Sequence, residues 1–267
     1  MTTLLFVGDI VGEAGLAYLE KRLPELRAEY QPDFVIANAE NMEITHHPGS
    51  MGHCGLSPQG VARLFALGVD AITGGNHSWD GPHFQTVYDD SRVIRPLNYG
   101  VAAPGEGALI VEHDGRRLGI INLVSRTALG WADDPLAAFH TQRAAWKGSV
   151  DLVLVDFHGE SVSEKLTFAF AVDGQASAVL GTHTHVQTYD TRILPQGTAY
   201  VTDVGMVGPG DGMQGYAPER FVEMMRFRLP GTSPFTFATG SVELGAVVVR
   251  CEGQRAIAIE RVQPLTT

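Results

Sequence analysis

The sequence predicts an α/β protein. Short, continuously apolar runs recur along the chain, as buried strands do. Stretches with apolar residues three and four apart fall between several of them, as one-faced helices require. Run after run then ends in a side chain that ligates metals or moves protons. The 267 residues can bury a full core, in one large α/β domain or two small ones. No internal repeat, low-complexity tract or linker divides the chain, so the expectation is one domain over residues 1–267.

Residues 4–7 are the first apolar run and lead into Gly8-Asp9. Leu16, Leu19, Leu23 and Leu26 mark a helix over about 16–30, closed by Pro32. A second strand over 34–38 runs into Glu40-Asn41. Residues 42–56 lack apolar periodicity and carry His46, His47 and His53 among glycines, which reads as a long surface loop of the binding or lid type. Ser57-Pro58 is a helix start, with a capping hydroxyl and proline at the first position, and that helix stops near Gly68. Residues 69–73 form a third strand ending in Gly75-Asn76-His77, and 78–90 look helical.

A hairpin is expected around His113-Asp114-Gly115-Arg116, between strands at 108–112 and 117–123. A helix begins at Asp134-Pro135, and a strand over 150–155 leads to His158. Ser161 and Glu164 match a capping box that opens a helix to about Val172. The strand from Ala178 then enters Gly181-Thr-His183-Thr-His185. A strand at 199–202, a glycine-rich loop over 205–215, a helix over 218–227 and two strands over 242–250 and 256–262 complete the chain.

Composition narrows the function classes. Hydrophobic residues make up 44% and charged residues 18%, ordinary for a soluble globular protein. A net charge of −11 argues against a broad basic surface for duplex nucleic acid, so an anionic substrate would need local positive charge, which bound cations supply. Cys54 and Cys251 do not resemble a disulfide framework or a thiolate metal site. With no signal peptide and no run long enough to cross a bilayer, a cytoplasmic protein without membrane contact is expected.

Five strand ends share one chemistry: Asp9, Glu40 with Asn41, Asn76 with His77, His158, and His183 with His185. Sites in open α/β sheets form beyond the carboxyl ends of strands. In extended chain His183 and His185 point the same way. The mixed oxygen and nitrogen set suits iron, manganese or zinc better than calcium. It exceeds the needs of one tetrahedral ion and fits a pair bridged by a carboxylate.

In this order, Gly8-Asp9, Gly75-Asn76-His77, His158 and Gly181-Thr-His183-Thr-His185 resemble the calcineurin-like metallophosphoesterases. Val11, Glu40-Asn41, Thr182 and the displaced Asp80 depart from that pattern, and the departures resemble one bacterial subfamily, the YmdB-like phosphodiesterases. Asn38-Ala-Glu40-Asn41, Gly75-Asn-His-Ser-Trp-Asp80, Asp156-Phe-His158-Gly-Glu160 and the segment from Gly181 to Thr188 carry that resemblance, which spans nearly the whole chain. Residues 42–56 look longer and richer in histidine than the family pattern.

The resemblance implies a sandwich of two mixed β-sheets flanked by helices. It implies a dinuclear-metal phosphodiesterase acting on a small cyclic nucleotide, either 2′,3′-cyclic nucleotides or 3′,5′-cyclic AMP. Asp9, Glu40, Asn41 and His185 would hold one transition-metal ion, and Glu40, Asn76, His158 and His183 the other. Iron is the first expectation, with manganese or zinc as alternatives. His77 would stand off the metals as general acid, since imidazole titrates near working pH.

Asp80, Asp156, Glu160 and Asp203 are expected to orient ligands or serve structure. His46, His47 and His53 are expected in a solvated loop, and His83, His113 and His140 in surface or helix packing. Trp79 and Tyr189 are the aromatic candidates for stacking on a base, with rim packing as the plainer role. A homo-oligomer is the base-rate expectation. Two other readings compete: an amidohydrolase, disfavoured because its His-x-His pair opens the fold, and a metal-binding regulatory protein that binds a nucleotide without hydrolysing it.

Overall fold

The computed structural model describes residues 1–45, 53–127, 129 and 131–263. His46, His47 and the side chain of His53 lie outside the described residues. In chain order the elements are β1 (Thr2–Val7), β2 (Asp9–Ile10), α1 (Gly12–Tyr30), β3 (Phe34–Asn38), β4 (Glu43–Thr45), β5 (His53–Gly55), α2 (Pro58–Ala66), β6 (Ala71–Thr73), α3 (Phe84–Val87), β7 (Ala108–His113) and β8 (Arg116–Val124). They continue as α4 (Pro135–Ala145), β9 (Leu152–His158), α5 (Val162–Ala171), β10 (Ala178–Thr182), β11 (Arg192–Ile193), β12 (Ala199–Val201), β13 (Met206–Pro209), α6 (Glu219–Phe227), β14 (Val242–Leu244), β15 (Ala246–Glu252) and β16 (Arg255–Arg261).

Two mixed sheets dominate. One has the order β16-β15-β1-β3-β6 and the other β11-β12-β10-β9-β8-β7. In the first, β1, β3 and β6 are parallel and β15 runs against β1. In the second, β12, β10, β9 and β8 are parallel between antiparallel edges β11 and β7.

Strand alternation explains why these segments are apolar throughout. Leu4 and Phe6 of β1 face the opposite sheet and pack with Leu118, Ile120, Leu152, Leu154 and Leu180. Leu5 and Val7 point the other way, onto Leu16, Leu19, Leu23 and Leu26 of α1. In the second sheet Ile121, Leu123, Val153 and Val155 turn outward onto Phe139 of α4 and Phe168 of α5. Successive side chains therefore enter two different cores, in a helix–sheet–sheet–helix stack. This is the sandwich of two mixed sheets flanked by helices that the family resemblance implies.

Several local expectations need correction. Residues 78–90 are helical only over α3, because Gly81-Pro82 interrupts the pattern and the Ser78 hydroxyl instead accepts from the Gly75 N–H at 3.0 Å, closing a turn. Within 42–56, β4 and β5 pair as a hairpin around the undescribed 46–52. The helix from Leu16 begins earlier, at Gly12, and ends on Gln31 in the left-handed region. The strand leading to His158 includes it. Ser161 caps α5, but the Glu164 carboxylate turns away to accept from the Ser125 hydroxyl and the Arg126 and Thr127 N–H groups, so the capping box is half formed.

The glycine-rich loop over 205–215 contains β13, and the strand over 242–250 divides at Gly245. Its first half, β14, joins β13 and β2 in a small sheet whose pairing of Met206 with Asp9 fixes the backbone of Asp9. Cys54 and Cys251 are free and buried. Among the described residues no helix is long and apolar enough to cross a membrane.

Leu23 is fully buried where α1 meets the first sheet. Leu23→Ala should cost roughly 2–5 kcal/mol, read as a lower denaturation midpoint in urea, because the cavity left behind does not fully collapse. A loss under about 0.5 kcal/mol would show that α1 does not bear on this core.

Candidate metal centre

The site forms on the seam between the two sheets. Asp9, Glu40 and Asn76 follow β1, β3 and β6 of one sheet, whereas His158 ends β9, and His183 and His185 follow β10 of the other. Asp9, Glu40, Asn41, His158 and His185 are buried. The Nε2 atom of His158 is the meeting point. It lies 2.9 Å from Glu40 Oε1, 3.0 Å from Asn76 Oδ1 and 3.0 Å from His183 Nδ1. Gly75 makes this approach possible: a Cβ there would stand 2.2 Å from Glu40 Oε2 and 2.5 Å from the His158 ring.

Each histidine has one nitrogen engaged outward and the other turned inward. The Thr182 hydroxyl gives its proton to Asp156 Oδ1 at 2.6 Å and therefore accepts from His158 Nδ1 at 3.0 Å. His183 Nε2 faces Glu160 at 3.4 Å. His185 Nδ1 donates to the Gln214 carbonyl at 2.8 Å. A carbonyl cannot donate, so Nδ1 carries a proton, and His185 Nε2 faces Asp9 Oδ1 at 3.9 Å and Asn41 at 3.1 Å. Outer partners of this kind fix the tautomer of metal-binding imidazoles.

The convergence of His183 and His185 has a different origin from the extended-chain expectation. Strand β10 stops at Thr182, and both histidines take positive φ, 100° and 64°. Such conformations are costly for side chains with a Cβ and persist only where the surroundings enforce them. Here Asp9 Oδ2 accepts from His183 N at 3.1 Å, and Asp203 Oδ2 accepts from Thr184 N at 3.0 Å. Buried Lys165 binds the same Asp203 oxygen at 3.0 Å and the Thr182 carbonyl at 2.7 Å.

The electrostatics fit a cation. Asp9 Oδ1 is buried with no hydrogen-bond partner among the described residues, and burial lifts Asp9 to about 6 against the pull of His185 and His158. Burial would also lift Glu40, but His158, His77 and His183 hold it well below the usual carboxylate range. Burial disfavours a charged His158, yet Glu40, Asp9 and Asp156 outweigh that and raise it to about 9. Burial and the neighbouring His158 push His183 down to about 3. A proton on His158 thus neutralises the carboxylates where a metal ion would do so better. Glu40, His158 and His183 offer donor atoms close enough to share one ion.

His77 stands at the edge. Its backbone N–H donates to Glu40 Oε2 at 3.0 Å, and its ring Nδ1 meets Asp80 Oδ2 at 2.8 Å. Burial lowers its pKa, but the Asp80 hydrogen bond and the charges of Glu40 and Asp80 leave it raised overall. Asn41 presents Nδ2 to Glu40 and His185 and accepts from the Tyr216 hydroxyl through Oδ1 at 2.8 Å.

A family model described as YmdB-like protein matches residues 5–262. The chain belongs to the YmdB-like family. A 2′,3′-cyclic-nucleotide 2′-phosphodiesterase of Bacillus subtilis (strain 168) is 41% identical to this YmdB-like chain over 262 residues, 97% of the chain and 96% of that protein. The crystal structure of a hypothetical protein from Thermus thermophilus matches at TM-score 0.87 and 38% identity, covering 97% of both chains. A phosphatase from Mycoplasma pneumoniae matches at TM-score 0.87 and 32% identity, over 98% of the YmdB-like chain and 92% of its own.

The sequence reading gave Thr182 no role, although it links His158 to Asp156, and it missed Lys165, Gln214 and Tyr216. Lys165, Gln214 and Tyr216 lie in no metal-ligand pattern: Lys165 and Gln214 act through backbone carbonyls, and Tyr216 through a hydrogen bond to Asn41. Of the aromatic candidates, Trp79 donates to the Pro104 carbonyl at 3.1 Å and packs edge-on against Tyr99, while exposed Tyr189 is covered by the Arg261 guanidinium at 3.5 Å. His83, His113 and His140 are exposed, as expected.

Thr182→Val keeps the shape of the side chain but breaks the link from Asp156 to His158. Affinity for added manganese should fall roughly 10–100-fold by competition with a chelator, with the circular dichroism spectrum retained. An unchanged affinity would show that His158 does not depend on this relay.

Proposed function

We propose that this YmdB-like protein is a metal-dependent phosphoric diester hydrolase. Its substrates are cyclic nucleotides, 2′,3′-cyclic nucleotides first and 3′,5′-cyclic AMP second. The observation that carries the reading is the orphaned, buried Asp9 Oδ1 beside the converging inward nitrogens and oxygens of Glu40, Asn76, His158, His183 and His185. The Bacillus relative, named for the same reaction, supports it.

In this reading Asp9, Glu40, Asn41 and His185 hold one transition-metal ion and Glu40, Asn76, His158 and His183 a second, with iron favoured over manganese or zinc. Asn41 ligates through oxygen once its amide is reversed; Nδ2 then donates to Tyr216, whose hydroxyl turns toward Cys54 Sγ at 3.1 Å. When bound, the ions neutralise the phosphoryl oxygens and acidify a water. Water adds to phosphorus as the bond to the ribose 2′-oxygen breaks, giving a nucleoside 3′-phosphate. His77 gives the departing oxygen its proton from Nε2, while Asp80 holds Nδ1 and, with the Glu40 charge, raises the pKa of the ring against the effect of burial.

Elemental analysis of the purified protein should find about two transition-metal ions per chain. Full diesterase activity in metal-free protein would overturn the reading, and nucleotide binding without hydrolysis would favour the regulatory alternative. His77→Ala should retain both ions yet lose roughly 10²–10⁴-fold in kcat on adenosine 2′,3′-cyclic phosphate, with a smaller loss on bis(p-nitrophenyl) phosphate, whose leaving group needs no proton. Equal losses on both would remove His77 from the acid role.

Metal affinity should also depend on pH. The proton on His158 competes with a cation, so the apparent manganese affinity should rise with pH and level off above about 9. A flat profile measured by calorimetry would mean that His158 is not displaced by the ion.

A further inference from the structure

A cavity of about 290 Å³ opens beside the metal centre, bordered by His77, Tyr216, Arg220, Phe221, Met224 and Phe235. We propose that it is the subsite for the base of the nucleotide, formed by Phe221 and Phe235 with Arg220. The proposal rests on the phosphodiesterase reading and adds the part of the substrate that sets specificity. At the lower edge of the roughly 300–1,000 Å³ usual for ligand pockets, the cavity has room for one planar ring system with the ribose and phosphate outside it.

The walls have the chemistry for that occupant. Phe235 stacks on Tyr216 at 5.0 Å and 24°, and Phe221 meets Phe235 edge-on at 6.0 Å and 69°. Both phenylalanines are only half-buried. Met224 and Arg220 project from α6, none of whose residues is fully buried, while Phe221 and Phe235 pack with part of their surface against Val11, Cys54, Met206 and Tyr216. Arg220 Nη1 donates to the Ser233 carbonyl at 3.2 Å, and its other N–H groups have no partner among the described residues. Half-open aromatic faces with one anchored guanidinium suit a heteroaromatic ring that stacks and accepts hydrogen bonds.

The cavity is continuous with the reaction site through two side chains. Tyr216 hydrogen-bonds Asn41 and stacks on His185 at 6.3 Å and 30°, and its ring also packs against Phe235, Phe237 and Phe221. His77 borders the cavity and is the residue placed to protonate the leaving oxygen. In a 2′,3′-cyclic nucleotide that oxygen sits on C2′, and the base sits on the adjacent C1′. A ribose oriented with its 2′-oxygen at His77 therefore carries its base toward Phe221 and Phe235. The cavity on the His185 side is less suited, because its aromatic residue, Tyr189, already stacks with Arg261.

The test compares adenosine 2′,3′-cyclic phosphate with 1-O-methylribose 2′,3′-cyclic phosphate, which lacks the base. Phe235→Ala and Arg220→Ala should each lower the ratio of kcat/KM for the first over the second, Phe235→Ala by roughly tenfold or more. Phe235→Leu keeps the apolar packing but removes the ring and should show the same selective loss, which separates stacking from misfolding. Adenosine alone should bind the wild-type protein by calorimetry and not the Phe235→Ala variant. An unchanged ratio together with unchanged adenosine binding would overturn the subsite. If no diester is hydrolysed at all, the phosphodiesterase reading fails, and adenosine binding still decides the cavity.

Discussion

Two carboxylates buried at the junction of two sheets set the terms for this molecule. Asp9 and Glu40 lie out of water within reach of His158, and a bare pair of buried charges is unfavourable by several kcal/mol per ion. The protein answers with imidazoles whose outward nitrogens are already taken. Glu40 stays ionised and His158 is driven up to about 9, so the cluster retains a proton where a stronger positive charge is better. A site that holds a proton this firmly is preorganised for a cation, which releases that proton as it binds.

Preorganisation reaches into the backbone. The positive φ values of His183 and His185 are local strain, and Asp9, Asp203 and the Gln214 carbonyl hold them in place. Lys165 completes this support from α5, with its ammonium buried between Asp203 and the carbonyl of Thr182. Losing either partner would leave the other's charge buried and unpaired, which is more damaging than the loss of one hydrogen bond.

Much of this was legible in the sequence, and the misses share a cause. Strands with both faces covered read as unbroken apolar runs, so β3 and β10 were found nearly to the residue and β1 from its third residue on, after the polar Thr2 and Thr3. The side chains now seen to converge were visible because acids and histidines directly after such runs are conspicuous. The failures came where one segment's shape is set by another. Residues 78–90 follow helical spacing, yet the turn at Gly75 and Ser78 and the break at Gly81-Pro82 decide their path. Glu164 has the spacing of a capping box, but the chain at Ser125 and Thr127 outcompetes the helix end for its carboxylate. Tyr216, Phe221 and Phe235 carry no motif, and only the folded chain brings them beside His77.

The same logic explains Asp156, which no ligand pattern singles out as central. Its Oδ2 accepts from Asn38 on β3 at 2.9 Å and Thr73 on β6 at 2.5 Å, and its Oδ1 accepts from Thr182 on β10. One fully buried carboxylate on β9 therefore ties both sheets together directly beneath the metal centre. Burial raises its pKa, while His158 and these donors work to keep it ionised. A one-residue slip of either sheet would turn Asn38 or Thr182 to the opposite face and leave that charge without donors. Correct stacking of the sheets and correct assembly of the site are thus a single structural condition, since the contacts that satisfy Asp156 also orient His158.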